Sequence, residues 1–243
     1  MATVSGDTIA QSDVLEDLSS AVNYRRWLCS LGLPHFGDDV LELGSGLGDY
    51  AAEWADQGVR VTASEADPGR LESLEKRFSS DPRVEVRELG VPIRDTGNYS
   101  TVVAYNVLEH IHDQAEALAS VRRLLRPGGA VVLIVPAFEF AMSAFDRRIG
   151  HHRRYRKASL TRVLTEAGLT VEHCHYVNGP GLLAWYLVCK LLRGRPREGL
   201  LLSWYDRLYV PVQRRIEARL RTPFGQSLFA VARTPMDDSE VSE

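Results

Sequence analysis

Apolar and polar positions along this chain follow two different periods in turn. Short apolar runs at 40–43, 60–63, 84–88, 101–105, 130–135, 169–176 and 228–232 are rich in Val, Leu and Ala and read as buried strands. Between them, residues 14–30, 50–57, 69–78, 114–125 and 157–167 carry apolar side chains three and four apart and read as amphipathic helices. Such alternation predicts an α/β fold with a largely parallel sheet. Arg126-Pro127-Gly128-Gly129 ends one helix and starts the next strand, because Pro cannot continue a helix and Gly favours the turn.

Two segments break the alternation. Residues 137–156 form a long connection rich in aromatic and basic residues, and residues 180–222 read as two amphipathic helices before the last strand. Additions of this length to an α/β core serve as lids or substrate walls. The reading is one domain over 1–243, with 137–156 and 180–222 as substrate-side insertions.

Composition changes little in that picture, but charge changes more. Hydrophobic residues make up 44% of 243 and charged residues 25%, an ordinary globular balance. Residues 1–120 hold 9 Lys+Arg against 21 Asp+Glu, whereas residues 121–243 hold 20 against 11. The basic second half suits an anionic substrate or a membrane surface, or forms solvated helix faces. Cys29, Cys174 and Cys189 lie far apart with no C-x-x-C, which fits buried thiols in a reducing, cytoplasmic compartment. The N-terminus lacks a basic start and an apolar core, so no secretory signal is expected. The apolar stretch 181–192 is too short to span a bilayer.

The most informative chemistry is Leu41–Tyr50, LELGSGLGDY, where a strand gives way to a helix. Gly44, Gly46 and Gly48 allow positive φ and let a ligand lie against the backbone. The order is Gly-x-Gly-x-Gly, and Asp49 occupies the third position of the dinucleotide spacing. A carboxylate there repels a pyrophosphate and suits an ammonium group, and Glu42 adds a second negative charge. Glu65, one βα unit later, can accept hydrogen bonds from two ribose hydroxyls. Together these disfavour a nicotinamide dinucleotide and favour S-adenosylmethionine.

On VLELGSGLGDY, SEADP, NVLEHIHD and LLRPGGAVVLIVPA the chain resembles the class I S-adenosylmethionine-dependent methyltransferases. NYRRWL and FDRRIGHHRRY resemble a bacterial type 11/12-like subgroup with a GHxRRY motif. The resemblance covers nearly the whole length. It implies a Rossmann-like fold, a seven-stranded, mostly parallel sheet with the last strand antiparallel, and helical lid insertions.

It also implies roles for particular positions. Glu42, Gly44, Ser45, Gly46 and Gly48 would surround the methionine moiety. Glu65 would hold the ribose, with Ala66 against the adenine. Asn106 would face the methionine end, and Tyr24 would cover the cofactor from the N-terminal helix. Leu89-Gly90 stands where relatives often have Gly-Asp, so adenine contacts would fall to the backbone of Gly90 and Val91, or to Asp95.

The acceptor side is read from residues after the fourth and fifth strands. Asn106-Val107-Leu108-Glu109 replaces the Asn/Asp-Pro-Pro-aromatic motif of amino-directed nucleic-acid methyltransferases, and no RNA-binding module is evident, so no nucleic-acid partner is expected. Related quinone-pathway O-methyltransferases that can hold a divalent ion have Glu where this chain has Asn106, so no metal is expected.

A hydroxyl acceptor needs a base, and histidine suits neutral pH. His110, His151, His152 and Tyr155 are the catalytic candidates. Arg153 and Arg154 could clamp a carboxylate or phosphate, and Trp185 could wall the acceptor. His110 could equally be a packing residue, and Arg and Tyr could tie the lid to the core. The expected function is methylation, O-directed, of a small natural-product-like or anionic molecule. The alternatives are a lipid-linked acceptor at a membrane surface and a non-catalytic cofactor-binding partner.

Overall fold

A computed structural model describes residues 7, 11–12, 20–192, 194 and 199–236. Seven strands form one sheet: β1 (Val40–Leu43), β2 (Val61–Glu65), β3 (Val84–Glu88), β4 (Tyr99–Tyr105), β5 (Leu125–Pro136), β6 (Thr170–Val177) and β7 (Ser227–Arg233). The order is β3-β2-β1-β4-β5-β7-β6, with β7 antiparallel to both neighbours. This is the sheet expected from the sequence, including the reversed last strand.

Every residue of β1, β2 and β4 is buried, which is why these strands read as continuous apolar runs. The two-residue period divides them between two cores. Leu41, Val102, Ala104, Val131 and Leu133 pack on one face, and Val40, Val61, Ala63, Val103 and Val132 on the other.

The helices are α1 (Val22–Gly32), α2 (Asp49–Ala55), α3 (Pro68–Phe78), α4 (Gln114–Leu124), α5 (Ala144–Arg148), α6 (Lys157–Glu166), α7 (Gly179–Trp185), α8 (Leu200–Trp204) and α9 (Val210–Glu217). α3 starts on Pro68, and the Asp67 side chain accepts from the N–H of Arg70 at 3.0 Å. Asp113 does the same for α4 through Glu116 at 3.0 Å. Residues 14–19 of the first expected helix lie outside the described residues.

One boundary differs from the sequence reading. β5 begins at Leu125, ahead of the Pro-Gly-Gly expected as a turn. The register with β4 slips between Tyr99 and Thr101, and the irregularity takes up the extra residues. The two additions are structured. Residues 137–156 contain α5 and a bridge between Ala137 and Tyr155. α7 runs on into a π-helical turn at Tyr186–Leu191, and α8 and α9 are joined by another at Tyr205–Tyr209. No helix among the described residues is long and apolar enough to cross a membrane.

Candidate functional site

A cavity of about 370 Å³ opens at the carboxyl ends of β1, β2 and β4, where open α/β sheets bind ligands. The glycine loop forms its floor. Gly44, Ser45, Gly46 and Leu47 line it, with φ of +67° at Gly44 and +58° at Gly46. Gly46 donates its N–H to Glu65 Oε2 at 3.0 Å. Glu65 Oε1 accepts from the N–H groups of Ala66 and Asp67 at 2.9 and 3.0 Å, and Arg70 Nη2 lies 3.4 Å from it. The carboxylate is thus held fixed at the cavity edge by backbone donors on both sides.

Tyr24, Ala66, Gly90, Val91 and Asn106 also line the cavity. Asn106 sits in the left-handed region, at φ +56°, and its N–H donates to Ile134 O at 2.7 Å. Tyr24 is brought in by α1, whose first turn is anchored by Asp206 of the late insertion.

Two residues expected around the methionine moiety lie outside the cavity lining. Gly48 does not line the cavity: a Cβ there would stand 2.6 Å from Phe78 and 2.7 Å from Leu74, so its glycine serves the packing of α2 on α3. Glu42 lies beneath the loop, 2% exposed, and does not line the cavity either. Its pKa is pushed up to about 7 by burial, reinforced by the charges of Glu65 and Asp49. Asp49 lines the cavity but is paired with Arg77 at 2.9 Å and Arg25 at 3.7 Å. Asp95 is exposed and is not among the lining residues.

The acceptor-side candidates separate into two groups. His110, His151, Arg154 and Trp185 line the cavity, with Phe145, Ile149 and Ile111. His152, Arg153 and Tyr155 do not. His152 is exposed and its ring packs edge-on against His112. Arg153 donates to the carbonyls of Ile111 and His112. Tyr155 is buried and its hydroxyl donates to Gln114 Oε1 at 2.9 Å. The last two tie the connection to the core, as Arg and Tyr can.

Arg154 is already paired within the protein. Asp146 is fully buried and needs a counter-charge, which Arg154 supplies through Nη2 at 2.7 Å and Nε at 3.2 Å. The same carboxylate accepts from Ser143 Oγ at 2.6 Å and holds His151 Nδ1 at 2.9 Å. These bonds keep the Asp146 carboxyl below the usual range against the opposing cost of burial. Arg154 also lies over the Trp185 ring, 4.9 Å from its centroid.

His151 has a second acid beside it. Its Nε2 is 3.8 Å from Oε1 of Glu109, which is fully buried and has no hydrogen-bond partner on either oxygen. Burial pushes Glu109 up to about 7. His110 stacks edge-on to His151 at 4.6 Å, and burial holds its pKa down to about 3, so its ring stays neutral. Glu109, His110 and His151 bring groups of metal-ligand type within 4.8 Å of one another.

Sequence reasoning missed Asp146 as a positioning group, although an acid inside a basic stretch is a visible signal. It also missed Tyr50, Tyr105, Gln226 and Ser227, which line the cavity from α2, β4 and the start of β7. Only the sheet order brings those last two residues to the site.

Comparison with known proteins bears on this geometry. Residues 17–174 match the family model described as a methyltransferase domain. A "probable S-adenosylmethionine-dependent methyltransferase" of Mycolicibacterium smegmatis is 34% identical over 60% of this chain and 58% of its own length. A ubiquinone biosynthesis O-methyltransferase of Xanthomonas euvesicatoria is 30% identical over 56% of this chain and 64% of its own. The chain spans about half the length of the curated relatives it matches. Among solved structures, a Burkholderia thailandensis 1,6-didemethyltoxoflavin-N1-methyltransferase with bound S-adenosylhomocysteine superposes with a TM-score of 0.57 at 19% identity, covering 92% of this chain and 81% of that one.

Proposed function

The chain belongs to the methyltransferase family, and we propose that it methylates a hydroxyl oxygen of a small organic acceptor. The family cofactor is S-adenosylmethionine, which supplies an electrophilic methyl group on a sulfonium. The residues present fit it. Three carboxylates, Glu42, Asp49 and Glu65, gather around the glycine loop, and this concentration of negative charge favours a cationic ligand over a pyrophosphate. Gly44, Ser45 and Gly46 would hold the methionine end. Glu65 would hold the ribose hydroxyls, and Ala66, Gly90 and Val91 the base. Tyr24 and Asn106 would close over the reacting end.

The observation that carries the oxygen acceptor is His151 on the cavity wall, backed by the buried Asp146. Asp146 accepts from Nδ1, which leaves Nε2 to take the proton from an acceptor hydroxyl as its oxygen attacks the methyl carbon. Asp146 and Glu109 on either side of the ring stabilise the imidazolium as it forms. Phe145, Ile149 and Trp185 provide an apolar wall for the acceptor body. Arg154 is committed to Asp146, so the acceptor needs no anionic group to satisfy it.

Incubation with methyl-labelled S-adenosylmethionine and a panel of phenols, hydroxy acids and amines tests this. The expected products are methyl ethers, located by NMR. Methylation confined to amine nitrogen or carbon would sink the oxygen assignment while leaving the cofactor assignment intact.

A further inference from the structure

We infer that the helical segment before the last strand docks on an anionic lipid surface through the exposed side chains of residues 204–221. The inference is independent of which acceptor the cavity takes.

The first observation is an apolar stripe on the outside of the molecule. Trp204, Leu208, Val212, Ile216 and Leu220 recur every fourth residue and are 59%, 58%, 50%, 44% and 65% exposed. A spacing of four overshoots the α-helical turn of about 3.6 residues. The wider π-helical turn at Tyr205–Tyr209 reduces that drift between Trp204 and Leu208, ahead of the α-helix Val210–Glu217. Buried residues of the same segment, Asp206, Val210 and Gln213, point the other way.

The second observation is the segregation of charge. Residues 199–221 contain two acids, Asp206 and Glu217, and both are spent inward. Asp206 accepts from the N–H groups of Asn23 and Tyr24, and Glu217 from those of Asn178 and Gly179. The exposed charges of the segment are all arginines: Arg207, Arg214, Arg215, Arg219 and Arg221. Exposed apolar side chains in a segment whose exposed charges are all cationic are complementary to a bilayer interface with anionic headgroups. A protein partner or a second copy of the chain would meet five exposed arginines in this segment, none of them in an ion pair among the described residues.

The neighbouring helix places this surface near the site. α7 contributes Trp185 to the cavity wall, while Leu183 and Leu187 on the same helical stretch are 64% and 53% exposed. An apolar acceptor dissolved in the bilayer would therefore meet the insertion that walls the cavity.

Vesicles of equal parts phosphatidylcholine and phosphatidylglycerol test the inference without any acceptor. The full chain is expected to co-sediment with them, to be released by high salt, and to ignore vesicles of phosphatidylcholine alone. Arg214→Gln with Arg215→Gln is expected to weaken partitioning roughly 25-fold, at about fivefold per arginine. Leu208→Ser with Val212→Ser, both at exposed positions, is expected to weaken it as well. Brominated phosphatidylglycerol is expected to quench the fluorescence of the parent but not that of Trp204→Phe at the same site. No binding to anionic vesicles overturns the inference. So does binding unaffected by either pair of substitutions, or a solution dimer that buries the stripe. Cofactor titration in the same samples keeps a failure here distinct from a failure of the methyltransferase reading.

Discussion

His151 Nδ1 lies 2.9 Å from Oδ1 of Asp146, a carboxylate buried to zero exposure. His151 stands on the wall of the cavity whose floor is the glycine loop, with Asp146 buried behind it. Asp146 is held in turn by Arg154 and Ser143, so the imidazole is oriented by a network that cannot easily rotate. The proton transfer and the cofactor binding proposed above thus fall to different residues of one cavity, which makes them separable by mutation.

His151→Ala is expected to lower kcat by about 10²- to 10⁴-fold, the usual worth of a positioned base, with S-adenosylhomocysteine affinity unchanged. With a phenolic acceptor, part of the rate should return at alkaline pH, where the acceptor ionises unaided. An unchanged rate at neutral pH would remove His151 from the chemistry.

Glu109→Gln gives a stability signature. Burial raises the Glu109 carboxyl from 4.5 to about 7, so the folded chain holds this proton more tightly than the unfolded chain. The stabilising contribution is present below 4.5 and is lost as pH rises through about 7. Relative to the parent, the Gln variant should gain on the order of 3 kcal/mol across that window. His110, held down to about 3, works with the opposite sign. It contributes above its unfolded value and loses that contribution on acidification. It is common to both proteins and cancels to first order when the two are compared at each pH by urea unfolding. A flat difference would mean that Glu109 finds a partner in solution.

Gly46 and Gly48 are expected to behave differently although they are two residues apart. Gly46→Val should abolish cofactor binding, because a branched side chain at φ +58° enters the floor of the cavity. Gly48→Ala should instead cost about 1–3 kcal/mol of stability, since its Cβ meets Phe78 at 2.6 Å at a φ of +80°. Thermal unfolding and calorimetric titration of both variants separate the two effects.

Asp206→Ala removes three hydrogen bonds that bind the late insertion to the first turn of α1, to Asn23 N and Nδ2 at 3.1 Å and Tyr24 N at 2.8 Å. The expected loss is about 1–3 kcal/mol, with weaker cofactor binding through displaced Tyr24. Unaltered affinity beside lowered stability would show that Tyr24 does not depend on this anchor.

The sheet was readable because its central strands are buried on both faces and its helices on one. The period of the sequence therefore reports the layer directly. The floor of the cavity was readable for a similar reason: Gly44, Gly46 and Glu65 are contiguous with strand ends whose position the sheet fixes. The acceptor side was not. His151, His152, Arg153, Arg154 and Tyr155 are neighbours in sequence, but the bridge at Ala137 and the demand of Asp146 for a counter-charge send them in different directions. The packing demand at Gly48 was not visible, because a glycine needed for packing looks the same in sequence as one needed for a ligand. Gln226 and Ser227 were invisible because only the antiparallel return of β7 carries them to the cavity.

Calorimetric titration of S-adenosylhomocysteine into the parent chain, His151→Ala and Gly46→Val tests the central claim most directly. The account predicts one equivalent bound with equal affinity by the first two proteins and no binding by the third. Failure of the parent to bind, or a Gly46→Val variant that binds as the parent does, would contradict it.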